Sequence, residues 1–362
     1  MPTYDCRHND CGHMKPANAG WLQATSFAAC LAVGCMGAQA QTVIKTQTAM
    51  AAGSFTLSYL NRHWTPLVEK MTGGKVKLEI LSSQAVVPHR EVMNAVAVGV
   101  LQGSLNAVAY YAGRDPAFGM MGDLIAGYDT PGQFQMFCRF GGGKEVLQKL
   151  HDRYTGGRVH VVGCGPFTRE ALVASKPIRG VKDLKGIKIR SPEGMAAEVF
   201  KRAGAIPTAI PWPETFTALE KGIVDAADAS SYTNNDALGF HKIAKYPIFP
   251  GIHSMAVIEF TVNKAVWEKI GEQGRAALET WYHAAWTDMA RASDIEDRKL
   301  VARDRSGGGP RNIEIVDWPQ AERDKFRAIA EQVWADYGKQ SKLAHEAYRA
   351  HVDFMKLYGL LE

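Results

Sequence analysis

The stretch from residue 183 to residue 228 contains the side chain best suited to bind a small anion. Arg190 ends a segment, Lys188–Arg190, that predicts a short strand, and Ser191-Pro192 follows it as a turn. The planar guanidinium can hold a carboxylate through two parallel hydrogen bonds, which lysine cannot copy. A side chain at the carboxyl end of such a strand points into the crevice where α/β folds bind ligands. Arg190 is therefore a candidate anion anchor, although an arginine at a strand end often forms only a surface salt bridge.

The sequence lacks the motifs of the common enzyme classes. It has no Gly-x-Gly-x-x-Gly after a predicted strand, no Gly-x-Ser-x-Gly, and no Cys-x-x-Cys or His-Glu-x-x-His spacing. Gly141–Lys144 resembles part of a phosphate loop but has no Ser or Thr after the lysine, so we predict a turn between helices. The histidines are scattered, and we expect His241 and His253 to be structural. A secreted enzyme is only a remote alternative.

The elements that would position Arg190 alternate between strands and helices. Strand patterns at residues 43–48, 76–81 and 104–110 are separated by helical patterns at 55–71 and 90–98. This order predicts a mostly parallel sheet with helices on both faces.

The alternation repeats further along the chain and predicts a second α/β lobe. Its predicted strands are 159–162, 188–190, 208–210 and 224–227, and its predicted helices are 196–203 and 216–221. After Pro250 the pattern turns helical: we predict a nearly continuous helix over 264–303, a strand at 313–316, and mostly helix over 319–358.

The N-terminal segment predicts export. Residues 21–37 carry no charge and are mostly small and apolar, and Ala38-Gln39-Ala40 follows them. These are the features of a secretory signal peptide, with cleavage expected near Ala40 and a periplasmic mature protein. Met14 could serve as the natural start, which would make residues 1–13 an over-called extension. A weaker pattern at Ala32–Cys35 would instead indicate a lipid anchor.

Charge and cysteine content add weaker constraints. The formal net charge is +5, and no run of five basic residues occurs, so we expect no nucleic-acid partner. A mild positive excess suits an anionic ligand, and it equally suits ordinary solubility. Only Cys138 and Cys164 follow the predicted signal peptide. They could pair in an oxidising compartment or stay two buried thiols.

The segment around Arg190 resembles the TRAP transporter solute receptors (the DctP family). Leu184-Lys-Gly-Ile-Lys-Ile-Arg190 leads to Pro211-Trp-Pro-Glu214, and then to Ala218-Leu-Glu-Lys-Gly-Ile-Val-Asp225. The resemblance continues through Ala237–His241 and Ala244–Tyr246 and covers most of residues 43–300. The sequence is most similar to the mannitol/chloroaromatic-type branch, which binds 2-oxo acids and related monocarboxylates, often with a metal cation.

The resemblance implies an α/β, two-lobed fold like that of periplasmic binding proteins. Each lobe would be a mixed sheet flanked by helices, with a long connecting helix and a helical C-terminus. Lobe 1 would comprise residues 41–165 and about 252–290, and lobe 2 residues 166–251 and about 291–362.

The resemblance also implies the roles of several residues. The family's selectivity arginine falls on Arg190, and a tyrosine whose hydroxyl could donate to the ligand falls on Tyr110, shortly before Gly113–Pro116. A second polar contact to ligand or cation falls on Glu170. The cation-binding position falls on Asp228, together with Ala229 and Ser254.

Three positions depart from the branch pattern. Asp228 stands where the branch has Glu, Ala229 where it has Trp, and Ser254 where it has Gln. A hard cation needs oxygens at short range, so the shorter side chains could lose the metal or draw water into its shell. Ala229 would also enlarge the pocket floor, which favours a ligand larger than pyruvate.

Other side chains are open to two interpretations. Phe167 and Trp212 could be apolar walls of the pocket or ordinary core residues. Glu170 and Asp228 could bind a cation or be ion-paired, for instance with Arg169.

The sequence therefore predicts a non-enzymatic periplasmic receptor that binds a small organic carboxylate, a 2-oxo or hydroxy acid, with a Na or Ca ion. It would pass this ligand to the membrane subunits of a TRAP transporter. A sulfonate or sugar acid is an alternative ligand, and a homodimer is an alternative to a monomer.

Overall fold

Two β-sheets, each flanked by helices, form the frame of the molecule. The computed structural model describes residues 41–251, 254–309 and 312–362. The predicted signal peptide at 1–40 and His253 lie outside these residues. The strands of the described residues are β1 (Thr42–Thr48), β2 (Val76–Leu81), β3 (Gly103–Ala107), β4 (Val159–Gly165), β5 (Val173–Ala174), β6 (Lys188–Ser191), β7 (Ile206–Ala209), β8 (Ala226–Ala227) and β9 (Ile258–Asn263).

The first sheet has the order β2-β1-β3-β9-β4. β1 is parallel to β2 and β3, whereas β9 is antiparallel to both β3 and β4. The sheet is therefore mixed, because β9 returns from the second half of the chain. We had predicted that the chain after Pro250 turns helical, and this is wrong for β9. Its sequence, Ile-Glu-Phe-Thr-Val-Asn, alternates between apolar and polar residues as a strand does, and its first five residues are all buried.

The second sheet has the order β5-β8-β6-β7, with β6 parallel to both of its neighbours. Its predicted strands at 188–190, 208–210 and 224–227 are confirmed in place, with ends shifted by up to two residues. The predicted strand at 313–316 is wrong, because only a single bridge forms there, between Ile248 and Val316.

The helices cover both sheets. In chain order the α-helices of the described residues are α1 (Phe55–Tyr59), α2 (Thr65–Met71), α3 (Val92–Ala97), α4 (Pro116–Gly122), α5 (Pro131–Phe140), α6 (Gly143–Thr155), α7 (Met195–Arg202), α8 (Thr215–Glu220), α9 (Tyr232–Ala237), α10 (Phe240–Ile243), α11 (Lys264–Lys269), α12 (Gly271–Arg305), α13 (Gln320–Tyr337) and α14 (Lys342–Leu357). A π-helical turn, Leu60–Trp64, joins α1 to α2, so the predicted helix over 55–71 is continuous but not uniform. The turn predicted at Gly141–Lys144 joins α5 to α6, with Gly142 at φ +90°.

The long helix α12 has 35 residues, which corresponds to a length of about 50 Å. Its Asp288 accepts hydrogen bonds from the Tyr59 hydroxyl at 2.7 Å and Trp64 Nε1 at 2.8 Å, beside the first sheet. Two to three turns later, Asp297 accepts from the backbone N–H of Thr233 at 2.7 Å, beside the second sheet. One rigid element therefore ties the two halves together.

The C-terminal helices complete the fold. α13 packs against α7 and α4, while α14 packs against α4 and α6. α13 buries an apolar face made of Phe326, Val333 and Tyr337. The predicted α/β fold class, with a long helix and a helical C-terminus, is confirmed, while the boundaries of the two lobes stay a prediction. Within the described part of the chain, no helix is both long and apolar enough to cross a membrane.

Candidate ligand-binding site

A cavity of about 80 Å³ lies where the two sheets face each other. This volume has room for roughly five to eight water-sized groups, which is the size of a small organic acid. The charged and aromatic side chains that line it come from both halves of the molecule: Tyr110, Asp123, Phe167, Glu170, Arg190 and Trp212. The cavity therefore brings together five of the predicted site residues and adds a carboxyl group, Asp123, that was not predicted.

Arg190 is held in place by backbone carbonyls. It lies in the central strand β6, and only 4% of its surface is exposed. Its Nε donates to the carbonyl of Ile210 at 3.0 Å and its Nη1 to the carbonyl of Asp228 at 2.7 Å. The guanidinium carbon also lies 5.5 Å from the centre of the Trp212 ring, within cation–π range. The charged group is thus fixed and lines the cavity instead of forming a surface salt bridge.

Tyr110 faces Arg190 from the other half of the molecule. We had predicted it inside a strand over 104–110, but β3 ends at Ala107 and Tyr110 lies in the short 3₁₀ turn that follows. Both Tyr110 and Arg190 line the cavity. Burial raises the pKa of the Tyr110 hydroxyl, Arg190 acts in the opposite direction, and Glu170 raises it further. Tyr110 therefore stays protonated at neutral pH and can donate a hydrogen bond.

Three carboxyl groups, those of Asp123, Glu170 and Asp228, lie near one another beside the cavity. The Ser254 hydroxyl is 2.5 Å from Asp123 Oδ2 and 2.9 Å from Glu170 Oε2. Since a hydroxyl has one hydrogen, it donates to one of these two carboxyls and can accept from the other only when that carboxyl carries a proton. Burial raises the pKa of Glu170 well above its usual range, and the nearby Asp228 and Asp123 raise it further. Burial, and then Asp228, raise the pKa of Asp123 to about 7.

Asp123 was missed at the level of sequence, although a signal for it exists. It follows α4 within the stretch 117–128, where it is the only charged residue among mostly apolar ones. A lone carboxyl in such a stretch is carried into the interior and needs a partner there. Its partners, Ser254 and the backbone N–H of Met255, are more than 130 positions away, so sequence alone does not identify them.

The remaining predicted residues lie behind the cavity wall. Asp228 and Ser254 are fully buried and do not line the cavity. Ala229 packs in a small core with Val173, Leu219 and Phe240. Because its methyl group does not line the cavity, the larger pocket floor that we expected at Ala229 is not seen.

The two predicted aromatic walls serve both of their expected roles. Phe167 lines the cavity and packs edge-on against Trp286, with ring centres 5.9 Å apart. Trp212 lines it too and stacks on Phe240 at 5.5 Å. Arg169 forms no ion pair with any described carboxylate, so the alternative in which it neutralises Glu170 or Asp228 is not observed in this part of the chain.

A second acidic cluster lies away from the cavity. Asp236, His241 and Asp304 have ligand atoms within 4.8 Å of one another, a spacing compatible with a metal. Arg303 already pairs with Asp236 at 2.8 Å and with Asp304 at 2.7 Å. Because this cation occupies the cluster, we interpret it as a structural network that joins α12 to α9.

Comparison with known proteins places the chain in a family. The model of the DctP family, bacterial extracellular solute-binding protein family 7, matches residues 47–340. A TRAP periplasmic solute-binding protein from Rhodobacter sphaeroides, solved in an apo open form, is 32% identical, with a TM-score of 0.71; the match covers 88% of this chain and 99% of that one.

Two further proteins are similar at lower identity. The monocarboxylate 2-oxoacid-binding periplasmic protein of Nostoc sp. is 24% identical over 293 residues, which are 80% of this chain and 78% of that protein. A TRAP solute-binding protein from Pseudoalteromonas atlantica, solved with sodium and pyruvate, is 23% identical with a TM-score of 0.75, covering 88% and 95% of the two chains; it supports the fold alone. The chain belongs to the DctP family of bacterial extracellular solute-binding proteins, the solute receptors of TRAP transporters.

Proposed function

We propose that this receptor captures a small organic carboxylate, a 2-oxo or hydroxy acid, through Arg190. The observation that carries the proposal is the fixed, buried guanidinium that lines a cavity of small volume. Two backbone carbonyls hold the group in its orientation before any ligand arrives, so binding does not have to order it. The remaining N–H donors can then grip a carboxylate in the bidentate manner that arginine favours.

The acidic side of the cavity fits a cation that accompanies the ligand. Glu170 and Asp123 line the cavity, with Asp228 and Ser254 directly behind them. These groups offer only oxygen donors, and their three carboxyls exceed the single charge of Arg190, which suits Na⁺ or Ca²⁺. Glu170 and Asp228 would hold the ion, assisted by Asp123, Ser254 and the backbone at Ala229. A bound cation would attract both the ligand's oxygens and these carboxylates, and so would hold the ligand beside them.

The relatives support this ligand class. The Nostoc protein is named for 2-oxo acids, and the Pseudoalteromonas structure contains pyruvate with sodium. Tyr110 would orient the ligand by donating from its neutral hydroxyl, and Phe167 and Trp212 would contact the ligand's apolar part. Contacts from both halves favour a closed state, because each adds affinity only when the halves approach.

The cellular context follows the family. The receptor would be exported by the signal peptide, cleaved near Ala40, and would work in the periplasm. It would deliver the ligand to the membrane subunits of its TRAP transporter without changing any covalent bond. Whether it acts as a monomer or a homodimer is a separate question that sedimentation of the purified protein answers.

The test is a calorimetric titration of the purified mature protein against a panel of acids. The panel contains 2-oxo acids, hydroxy acids, sulfonates and sugar acids, each with sodium, with calcium, and with a chelator in sodium-free buffer. We expect a 2-oxo or hydroxy acid to bind most tightly and to lose affinity when neither ion is available. Tightest binding of a sulfonate or sugar acid would replace the proposed ligand class while retaining the anion anchor.

The role of Arg190 is tested with the best ligand from this panel. We expect Arg190→Ala to lower affinity by at least ~100-fold, because it leaves the ligand's carboxylate buried without a partner. Arg349→Ala is the control, since Arg349 forms an exposed pair with Asp353 on α14. Full affinity in Arg190→Ala would refute the assignment.

A further inference from the structure

A second cavity, of about 230 Å³, lies behind the ligand cavity and contains three arginines. Arg169 comes from the segment between β4 and β5, and Arg323 and Arg327 come from the first turns of α13. The segment around Tyr128 and Asp129 forms another wall. The cavity is therefore built from parts of the chain that are far apart in sequence.

Two of the three arginines are neutralised within the fold. Arg323 pairs with Asp317 at 2.6 Å and donates to the carbonyl of Trp318. Arg327 pairs with Asp129 at 2.6 Å and donates to the carbonyl of Ala126. These partners orient both guanidinium groups, which stay among the groups that line the cavity.

Arg169 has no such partner. No hydrogen bond or ion pair joins its guanidinium to any residue in the described ranges. The remaining carboxylate of the cavity, Asp324, accepts a hydrogen bond from Gln320 at 2.8 Å. The fold thus leaves the N–H donors of this partly buried guanidinium without an acceptor among the described residues, although Asp129 and Asp294 lie near enough to favour its positive charge.

This arrangement is costly for the protein on its own. Burial lowers the pKa of Arg169, and the charge of nearby Arg323 lowers it further. A guanidinium has five N–H donors, and withdrawing them from water without acceptors costs free energy. An anion inside the cavity would remove both penalties, since its oxygens accept from Arg169 and offset the repulsion from Arg323.

We propose that the cavity of Arg169, Arg323 and Arg327 binds a small tetrahedral oxyanion, sulfate or phosphate, separately from the ligand held at Arg190. Three guanidinium groups around one concave space provide the directional donors that such an anion prefers. The space is larger than the anion needs, having room for roughly fifteen or more water-sized groups, so the anion keeps part of its hydration shell.

The second cavity shares a wall with the ligand cavity. Arg169 and Glu170 are adjacent in the chain, and Glu170 lines the ligand cavity while Arg169 lines the second one. Gly251 packs closely against these two residues. A Cβ at position 251 would come 2.0 Å from the carbonyl oxygen of Glu170 and 2.9 Å from Arg169 Cγ. An anion that fixes Arg169 therefore also restrains the backbone of Glu170.

The test uses the mature receptor without its organic ligand. Sodium sulfate is titrated calorimetrically at constant ionic strength, with sodium chloride as the balancing salt. We expect saturable binding in the wild type and a loss of at least about tenfold in Arg169→Gln, the size expected for removing hydrogen bonds to a charged group. Arg323→Gln should weaken sulfate in the same direction, and Arg349→Gln, an exposed arginine on α14, should not.

Thermal melting separates an anion site from a purely structural role. In chloride alone, Arg169→Gln should be at least as stable as the wild type, because it removes a partly buried charged group whose N–H donors have no acceptor among the described residues. In sulfate the order should reverse, because only the wild type gains stability from binding. A lower melting temperature for the variant by the same amount in both salts would overturn the proposal.

One more variant excludes the ligand cavity as the site of the effect. Sulfate could also reach Arg190, so Arg190→Ala is titrated in parallel. We expect it to retain the wild-type sulfate affinity. Sulfate binding that disappears in Arg190→Ala, or an absence of saturable binding in the wild type, would refute the second site without affecting the carboxylate proposal.

Discussion

The Arg190 side chain is held in a fixed orientation by neighbouring groups that carry no net charge. The carbonyls of Ile210 and Asp228 hold two of its N–H groups, and the Trp212 ring lies beside its guanidinium. A carboxylate in the same place would have neutralised the arginine and competed with an anionic ligand. Carbonyl acceptors fix the orientation and leave the positive charge available.

At the residue scale, a substitution of Tyr110 can remove the hydrogen bond from its hydroxyl to the ligand while keeping the shape of the aromatic ring. Tyr110→Phe should lower ligand affinity about tenfold, since a donor to a charged group is removed. The ring should stay packed on His89, whose ring centre is 4.3 Å away, so the melting temperature should hardly change. Tyr358→Phe is the matched control, because the Met136 sulfur, 3.8 Å away, is the one hydrogen-bond partner of its hydroxyl among the described residues. Equal calorimetric affinity for Tyr110→Phe and wild type would contradict the role.

At the scale of elements, α12 acts as a strut that is fastened to both sheets by buried or partly buried carboxylates. Asp288 binds the π-helical turn at Trp64, and Asp297 binds the start of α9 at Thr233. Burial raises the pKa of Asp297 to about 7, against the stabilising hydrogen bonds from Thr233. The fastening therefore depends on protonation.

The sign of this dependence follows from the raised pKa. Between the ordinary carboxyl value of 3.8 and about 7, the folded protein keeps a proton that the unfolded chain has lost. Stability from this group is thus highest at low pH and falls as pH rises through that window. Asp297→Asn should raise the free energy of unfolding at pH 8, by a few kcal/mol at most, and change it little at pH 4, as measured by denaturant titration. Asp294→Asn, exposed on the same helix, is the control, and an equal shift at both pH values would contradict the prediction.

At the scale of the whole molecule, the two halves are joined across the mouth of the cavity by polar contacts. Arg90, beside the first sheet, pairs at 2.6 Å with Glu193, which precedes α7 beside the second. Asn234 of α9 accepts a hydrogen bond from the backbone N–H of Thr56 at 3.2 Å. These contacts stabilise the closed arrangement and vanish when the halves separate.

Breaking the Arg90–Glu193 pair should speed ligand release. Both side chains are about half exposed, at 53% and 42%, so Glu193→Gln should raise the dissociation rate only about two- to fivefold. The difference should shrink in high salt, which screens exposed charges. Glu346→Gln, which breaks the exposed pair with Lys149, is the stopped-flow control. An unchanged rate at low salt would show that the pair does not contribute to closure.

Local patterns predicted the elements whose faces differ in polarity. β2 was predicted at its observed bounds because its buried and partly exposed residues alternate. β9 was not predicted although its residues alternate between apolar and polar, because the helical pattern that follows it was extended back to Pro250. Tyr110 was assigned to a strand because nothing in the sequence marks where β3 ends. The strand predicted at 313–316 shares backbone hydrogen bonds with residues 245–249 but forms only one bridge, between Ile248 and Val316. Pro247 in the neighbouring segment has no N–H to extend the ladder.

The sequence by itself determined the family, the strand that ends near Arg190, and the types of residue that could meet an anion and a cation. These features depend on residues that are close together in the chain, so a motif in the sequence is enough to identify them. The tertiary structure alone decided that Asp123 joins Glu170 and Ser254, that Ala229 belongs to the core, and that Arg169 faces a separate cavity. Those outcomes depend on contacts between distant segments, and the burial that raises the carboxyl pKa values arises only when the two sheets come together.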